Sequence, residues 1–405
     1  MQPFEEPAEA LTKREQEIKD GSQPDDANNA YIMKNLTTIR DLMDEQNIQL
    51  KALEWGWGEP LTQKETAAFL ANDGPDVIMG ETQMPGFAQN GLLEPFPSEL
   101  ADYVRNNIVD AAWKPMEFNG EIYGVATDPG INVLFWNKQL LKDAGLDPEK
   151  APATWEEWLE ISKQVTEAGA GKTYAGGIYA GANFGGYLRF GALLMQTGGG
   201  FVDEQGQSTL NAEKNVKAFE LLRQLNALNP KGLMTATDEG TFWDAFNKGQ
   251  IAYVVDGPWR IQGCKDAKIE CGISELPIPA DGQKGNVTIG ASFYAVPNYS
   301  KNKEAAFKYI NTLIGETVQQ NVAEAGFRTP VLKSLLNDEY KAKQPELYAL
   351  SAGLSGAVAG LPTYDKDGAK AWQAIGDAAT KSMLTQTAVV DILNEAQATI
   401  EAATR

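Results

Sequence analysis

Apolar residues recur along this chain in two alternating rhythms, and that alternation constrains the fold more than any other feature. Ile32, Leu36, Ile39 and Met43 fall three or four positions apart, the spacing that lays one apolar stripe on a helix. Residues 48–53 then alternate apolar with polar and read as a strand. The switch repeats: residues 76–79 read as a short apolar strand after a turn, and residues 131–136 as a longer one. Thr154-Trp155-Glu156-Glu157 has the Thr-x-x-Glu spacing of a capping box and predicts a helix running through Val165. Val216, Phe219, Leu222 and Leu225 form another helical stripe. Residues 251–255 and 293–296 read as strands, Ala306, Tyr309, Ile310 and Leu313 line a further helix, and the Ala-rich stretch from Pro345 onward is mainly helical. Strands alternating with helices over 405 residues, with no internal repeat, predict an α/β fold of two or three domains.

Composition removes whole classes of chemistry. The chain has no histidine, so Ser-His and Cys-His nucleophile pairs and His-ligated metal sites are excluded, and no metal site is expected. With 55 acidic and 35 basic residues the net charge is −20, and no basic stripe is visible; nucleic acid and anionic membranes are not expected partners. The two cysteines, Cys264 and Cys271, are too few for a four-cysteine zinc site; they are spaced either for a small disulfide loop or as two buried thiols. No apolar run is long enough to span a bilayer. Residues 1–30 are polar and acidic, a short charged helix followed by a turn cluster. No signal peptide is visible, which does not place the chain in the cytoplasm.

A series of motifs follows in order: Asn72-Asp73-Gly74-Pro75-Asp76-Val77-Ile78, Gly91-Leu92-Leu93-Glu94-Pro95, Asn119-Gly120-Glu121-Ile122-Tyr123-Gly124-Val125, Leu134-Phe135-Trp136-Asn137-Lys138, the Thr154 capping box, Phe246-Asn247-Lys248-Gly249 and Asp256-Gly257-Pro258-Trp259. Over roughly residues 31–335 the chain resembles the sugar-binding family of extracellular solute-binding proteins of ABC importers, typified by maltose-binding protein. The resemblance implies a two-lobed periplasmic-binding-protein fold, class II-like, with a ligand cleft between the lobes and several hinge crossings. Lobe 1 would take residues 1–127 and 293–345, and lobe 2 residues 128–292 and 346–405. Crossings would fall near residues 127–130, 289–292 and 343–350, where Gly and Pro mark the first and Gly the second. The family normally opens with a hydrophobic strand, an aromatic-rich loop and a helix; here Met1-Gln2-Pro3-Phe4 is at most the end of such a strand.

A sugar site needs aromatic rings for the C–H faces of a pyranose, and carboxylates, amides and Arg for its hydroxyls. Nine tryptophans are available. Trp259 follows a strand and corresponds to a family Trp that stacks on sugar; the alternative is a core Trp. Trp372 stands where the family carries a second stacking aromatic, though an aromatic on a helix is often core. Trp55 and Trp57 follow the strand expected at 48–53, and at least one is expected to face the cleft. Tyr187 is a similar loop aromatic. Asp128 aligns with an acidic family residue and can accept two hydrogen bonds from vicinal hydroxyls; the alternative is an Asp capping a turn before Pro129. Glu81 and Gln83 follow a strand where the family places ligand-binding side chains. Phe293 and Tyr294 alternate, so one can line the cleft while the other is core. Arg328 can hold a hydroxyl pair or an acidic ligand group, or serve as a structural bridge. Asp73 and Asp76 read as scaffold.

The expected function is therefore the extracytoplasmic, monomeric, cofactor-free binding component of an ABC importer. It would capture a mono- or oligosaccharide, or a glycosylated compatible solute, by hinged closure and deliver it to transmembrane permease subunits. The mature protein would be periplasmic or otherwise extracytoplasmic, with a lipid anchor in the precursor as one option. No catalytic residue is expected. Two rivals use the same residues: a glycoside hydrolase drawing a carboxylate pair from Glu54, Glu59, Glu81 and Asp128, and a polyamine-binding protein of the same fold, in which Trp and acidic side chains would hold a cation.

Overall fold

The computed structural model describes residues 27–404 apart from 54, 57–58, 82, 204–205, 290–291, 356–357 and 360–367. The chain divides into two compact units, residues 1–130 with 290–355 and residues 131–289 with 356–405. Each is built of helices around short strands, as the alternating pattern requires.

In the first unit, strands Ile78–Gly80, Phe293–Ala295 and Val125–Ala126 make an antiparallel sheet. Its register puts Gly80, Phe293 and Ala126 in one row. Helix Ala27–Asp44 buries Ile39 and Met43, two of the four positions in its apolar stripe. Asp76 acts as scaffold: its carboxylate accepts from Ser300 Oγ at 2.7 Å and Asn302 Nδ2 at 3.1 Å. Residues 48–53 depart from expectation. They carry strand-like alternation but join no ladder among the described residues, and Leu50 and Leu53 stay 37% and 44% exposed. Together with residues 74–79 they line a cavity of about 610 Å³, to which Leu61, Glu65, Tyr294 and Tyr309 also contribute. Alternation supplies a face to bury, but a strand also needs a neighbour to accept its backbone hydrogen bonds.

The second unit carries a four-stranded sheet ordered Tyr174–Gly177, Ile251–Asp256, Val133–Asn137 and Cys271–Glu275. Ile251–Asp256 is buried at every residue and has a strand paired on each side. Helix Trp155–Gly169 starts as its sequence predicts: Thr154 Oγ1 accepts from Glu157 N at 3.1 Å. The reach-back bond goes one residue further than in the usual box, with Glu157 Oε2 accepting from Ala153 N at 2.8 Å. That backbone bond and Lys150 hold the Glu157 carboxyl below its ordinary range. The C-terminal helices Gly368–Leu384 and Val389–Thr404 join this unit through Arg223, whose guanidinium donates to Ser382 O at 2.7 Å and Thr387 O at 2.6 Å. Cys264 and Cys271 are disulfide-bonded, tying helix Arg260–Asp266 to strand Cys271–Glu275.

Candidate functional site

In each unit some of the candidate residues lie just past the end of a strand. In the first unit, the chain leaving the Gly80–Phe293–Ala126 row carries Glu81 on one side and Thr127-Asp128 on the other. Phe293 itself is buried, as is Tyr294. Asp128 is 3% exposed, and its Oδ1 accepts from Thr127 Oγ1 at 3.0 Å. Its Oδ2 accepts from Arg328 Nη1 at 2.8 Å, so two candidates 200 residues apart in sequence form a buried ion pair. The loop presenting Arg328 is held in place by Tyr340, whose hydroxyl donates to Arg328 O at 3.2 Å. A carboxylate and a guanidinium held together give a ligand both acceptor and donor capacity at one spot.

Glu81 is half-buried. Gln83 is engaged within the unit: its Oε1 accepts from Glu81 N at 3.2 Å and its Nε2 donates to Glu65 Oε2 at 2.9 Å. Gly80 makes this possible, since a Cβ there would stand 2.3 Å from Gln83 Nε2. Glu65 was not foreseen. Only 1% exposed, it has its carboxyl pushed up to about 7 by burial, and the bond from Gln83 offsets part of that rise. Trp55 lines the cavity beside residues 48–53, whereas Trp57 lies outside the described residues.

In the second unit the register aligns Val133 with Asp256 and with Glu275, so the chain leaving Asp256 emerges at the same sheet end. Trp259 stands there, half-buried, with its indole folded over Gly257. A Cβ on Gly257 would lie 2.2 Å from the ring, so only glycine permits this placement. Tyr187 and Trp372 come together, but on each other: their rings stack at 5.1 Å and 24°. Phe201 meets Trp372 edge-on at 5.3 Å. Tyr187 is 7% exposed and its hydroxyl is pushed up to about 12, chiefly by burial, while Trp372 keeps partial exposure.

Beside Trp259 lies a charged network that sequence reasoning missed. Asp256, fully buried, accepts from Arg189 Nη2 at 2.9 Å on Oδ1 and from Arg260 Nε at 2.9 Å on Oδ2. Arg189 Nη1 also lies 3.1 Å from Glu239 Oε2. Both guanidinium groups stand over the Trp243 ring, Arg260 at 4.1 Å and Arg189 at 5.4 Å. Burial raises the Glu239 carboxyl above its ordinary range; Arg189 pulls the other way. The only signal in the sequence was a charged residue at each end of Asp256-Gly257-Pro258-Trp259-Arg260; its partners Arg189, Glu239 and Trp243 lie on two other helices.

The model of the family described as bacterial extracellular solute-binding protein matches residues 29–320. The chain belongs to that family. Among its relatives, the galactooligosaccharide-binding protein of Bacillus subtilis is 27% identical over 284 residues, 66% of this chain and 63% of the relative. The maltotriose-binding protein of Pyrococcus abyssi is 27% identical over 314 residues, 75% of this chain and 64% of the relative. This solute-binding protein thus spans less than two thirds of either relative's length. Among solved structures, UgpB of Mycobacterium tuberculosis in complex with glycerophosphocholine is 20% identical, with a TM-score of 0.77 over 91% of this chain and 94% of that one. At that identity the likeness carries the fold. No described helix of this solute-binding protein is long and apolar enough to cross a membrane.

Proposed function

We propose that this protein is the non-enzymatic, extracytoplasmic binding component of an ABC importer for a sugar: a mono- or oligosaccharide, or a glycosylated compatible solute. The observation that carries the reading is Trp259, its indole fixed by Gly257 next to an Arg/Asp network. An aromatic face flanked by fixed donors and acceptors is what a pyranose requires. The Asp128–Arg328 pair of the first unit supplies the same polar chemistry. Relatives named for galactooligosaccharide and maltotriose support the class without selecting a member. In this reading a monomer captures the solute by a shift of population toward a closed form, which then docks on the permease subunits.

The test is a thermal-shift panel of mono-, di- and trisaccharides, glycosylglycerol, spermidine, phosphate and glycerophosphocholine. A ligand at about a thousand times its dissociation constant stabilises the folded state by about 4 kcal/mol, a rise of several degrees in Tm. A shift with one sugar class, and the sugar recovered intact, is the expected result. Hydrolysis of the sugar would favour a carboxylate-pair enzyme, and a response confined to spermidine, phosphate or glycerophosphocholine would overturn the carbohydrate assignment.

A further inference from the structure

We propose that Arg260 is a ligand-contacting, specificity-determining residue beside Trp259, with Asp256 as the residue that positions it; this rests on the carbohydrate reading above. Asp256 does not need Arg260 to be neutralised. Its Oδ1 already takes Arg189 Nη2 at 2.9 Å in a pair where the two side chains are 0% and 8% exposed. A second guanidinium on Oδ2 exceeds what pairing the buried carboxylate demands. Arg260 also differs from Arg189 in its surroundings: it opens helix Arg260–Asp266 directly after Trp259, and its side chain keeps 17% exposure.

The geometry of Arg260 is that of a donor held ready. One edge, Nε and Nη2, lies 2.9 Å from Asp256 Oδ2. One face lies over Trp243 at 4.1 Å. Nη1 makes no hydrogen bond among the described residues, so the opposite edge is available to an incoming oxygen. Three constraints fix the helix that carries it: the Asp256 contact, burial of Cys264, and the disulfide to Cys271. A planar fork already immobilised loses little entropy when it binds, which is how a donor adds selectivity.

The chemistry of the partner group follows from charge. Arg189 and Arg260 are matched by Asp256 and Glu239 in the same cluster, so the network offers directed donors with no surplus positive charge. It is suited to hydroxyl oxygens at the rim of a neutral pyranose stacked on Trp259, in preference to a sugar acid.

The experiment uses the full chain and three probes: maltotriose, its monodeoxy analogues and trigalacturonate, each titrated calorimetrically. Arg260→Met keeps a stem over Trp243 and leaves the Arg189–Asp256 pair intact. It is expected to weaken maltotriose at least tenfold while the ligand-free Tm stays within about two degrees of wild type. One monodeoxy analogue should lose the same factor against wild type and nothing further against Arg260→Met, a cycle that a merely structural role would not produce. Arg260→Lys should recover part of the loss, and Asp256→Asn should weaken maltotriose while leaving the preference among monodeoxy analogues blunted. Wild-type-like affinity in Arg260→Met, or tighter binding of trigalacturonate than of maltotriose, overturns the role of Arg260 while leaving the carbohydrate reading standing. A wild-type chain that binds no sugar of the thermal-shift panel above removes that reading and this one with it.

Discussion

The sheet of the second unit is four strands wide, and its inner strand Ile251–Asp256 is buried throughout, whereas the first unit joins strands of two and three residues and leaves the strand-like residues 48–53 outside any described ladder. Both stretches have strand-forming sequence. What separates them is a partner: Ile251–Asp256 has Tyr174–Gly177 on one side and Val133–Asn137 on the other, and residues 48–53 face a cavity. The same contrast extends to charge. Asp256 is buried between two guanidinium groups, while Glu65 is buried with a single amide donor and an Oε1 that no described group satisfies. Asp256 is met on both carboxylate oxygens, and Glu65 on one.

The largest effect should come from unbalancing the second unit. Asp256→Ala removes the buried acceptor that Arg189 and Arg260 share and should cost about 3–5 kcal/mol in chemical denaturation, the usual penalty for breaking a buried pair from one side. Ile251→Ala, at a fully buried strand position, should cost about 2–5 kcal/mol. In the first unit the matching test is pH. Glu65 has a folded-state pKa raised to about 7 from 4.5, so the folded chain holds a proton that the unfolded chain releases between those values. Stability is therefore full below about 4.5 and falls as pH rises toward 7, by up to about 3 kcal/mol. Glu65→Gln should flatten that slope; an unchanged slope would show that Glu65 is not its source. Removing the disulfide with Cys264→Ser and Cys271→Ser should cost about 2–3 kcal/mol, as expected for so short a loop. The smallest effect is expected from Leu53→Ala, within about 0.5 kcal/mol, because that side chain is 44% exposed. Hydrogen exchange sharpens the comparison: amides of Ile251–Asp256 should exchange only on global opening, and those of residues 48–53 should exchange early. Equal protection in the two stretches would remove the distinction.

The parts of the fold that could be read in sequence were those with local causes. The Thr154 capping box and the stripe Val216, Phe219, Leu222 and Leu225 are set by neighbours a few residues away, and the structure has helices Trp155–Gly169 and Glu213–Ala227 there. Residues 48–53 could not be read correctly because pairing is a long-range property that alternation does not encode. The place of Trp259, half-buried just past a strand end, was legible from the Gly-Pro before it. The Asp128–Arg328 pair was legible only as two separate candidates, because the bond spans 200 residues. The cluster of Arg189, Glu239, Trp243 and Arg260 around Asp256 left no local pattern, since it joins three helices to one strand end. Glu65 looked like any polar residue of a helix; its burial comes from the unit's tertiary packing.

Carbohydrate capture through Trp259 is tested most directly by calorimetric titration of wild type and Trp259→Ala with the sugar that gives the largest thermal shift. The account predicts saturable binding to wild type with the sugar recovered intact. It predicts that Trp259→Ala weakens binding by about 2 kcal/mol or more, roughly thirtyfold, with ligand-free stability preserved. Wild-type affinity in Trp259→Ala, or a wild-type chain that binds no sugar while a cation or phosphodiester binds, would contradict it.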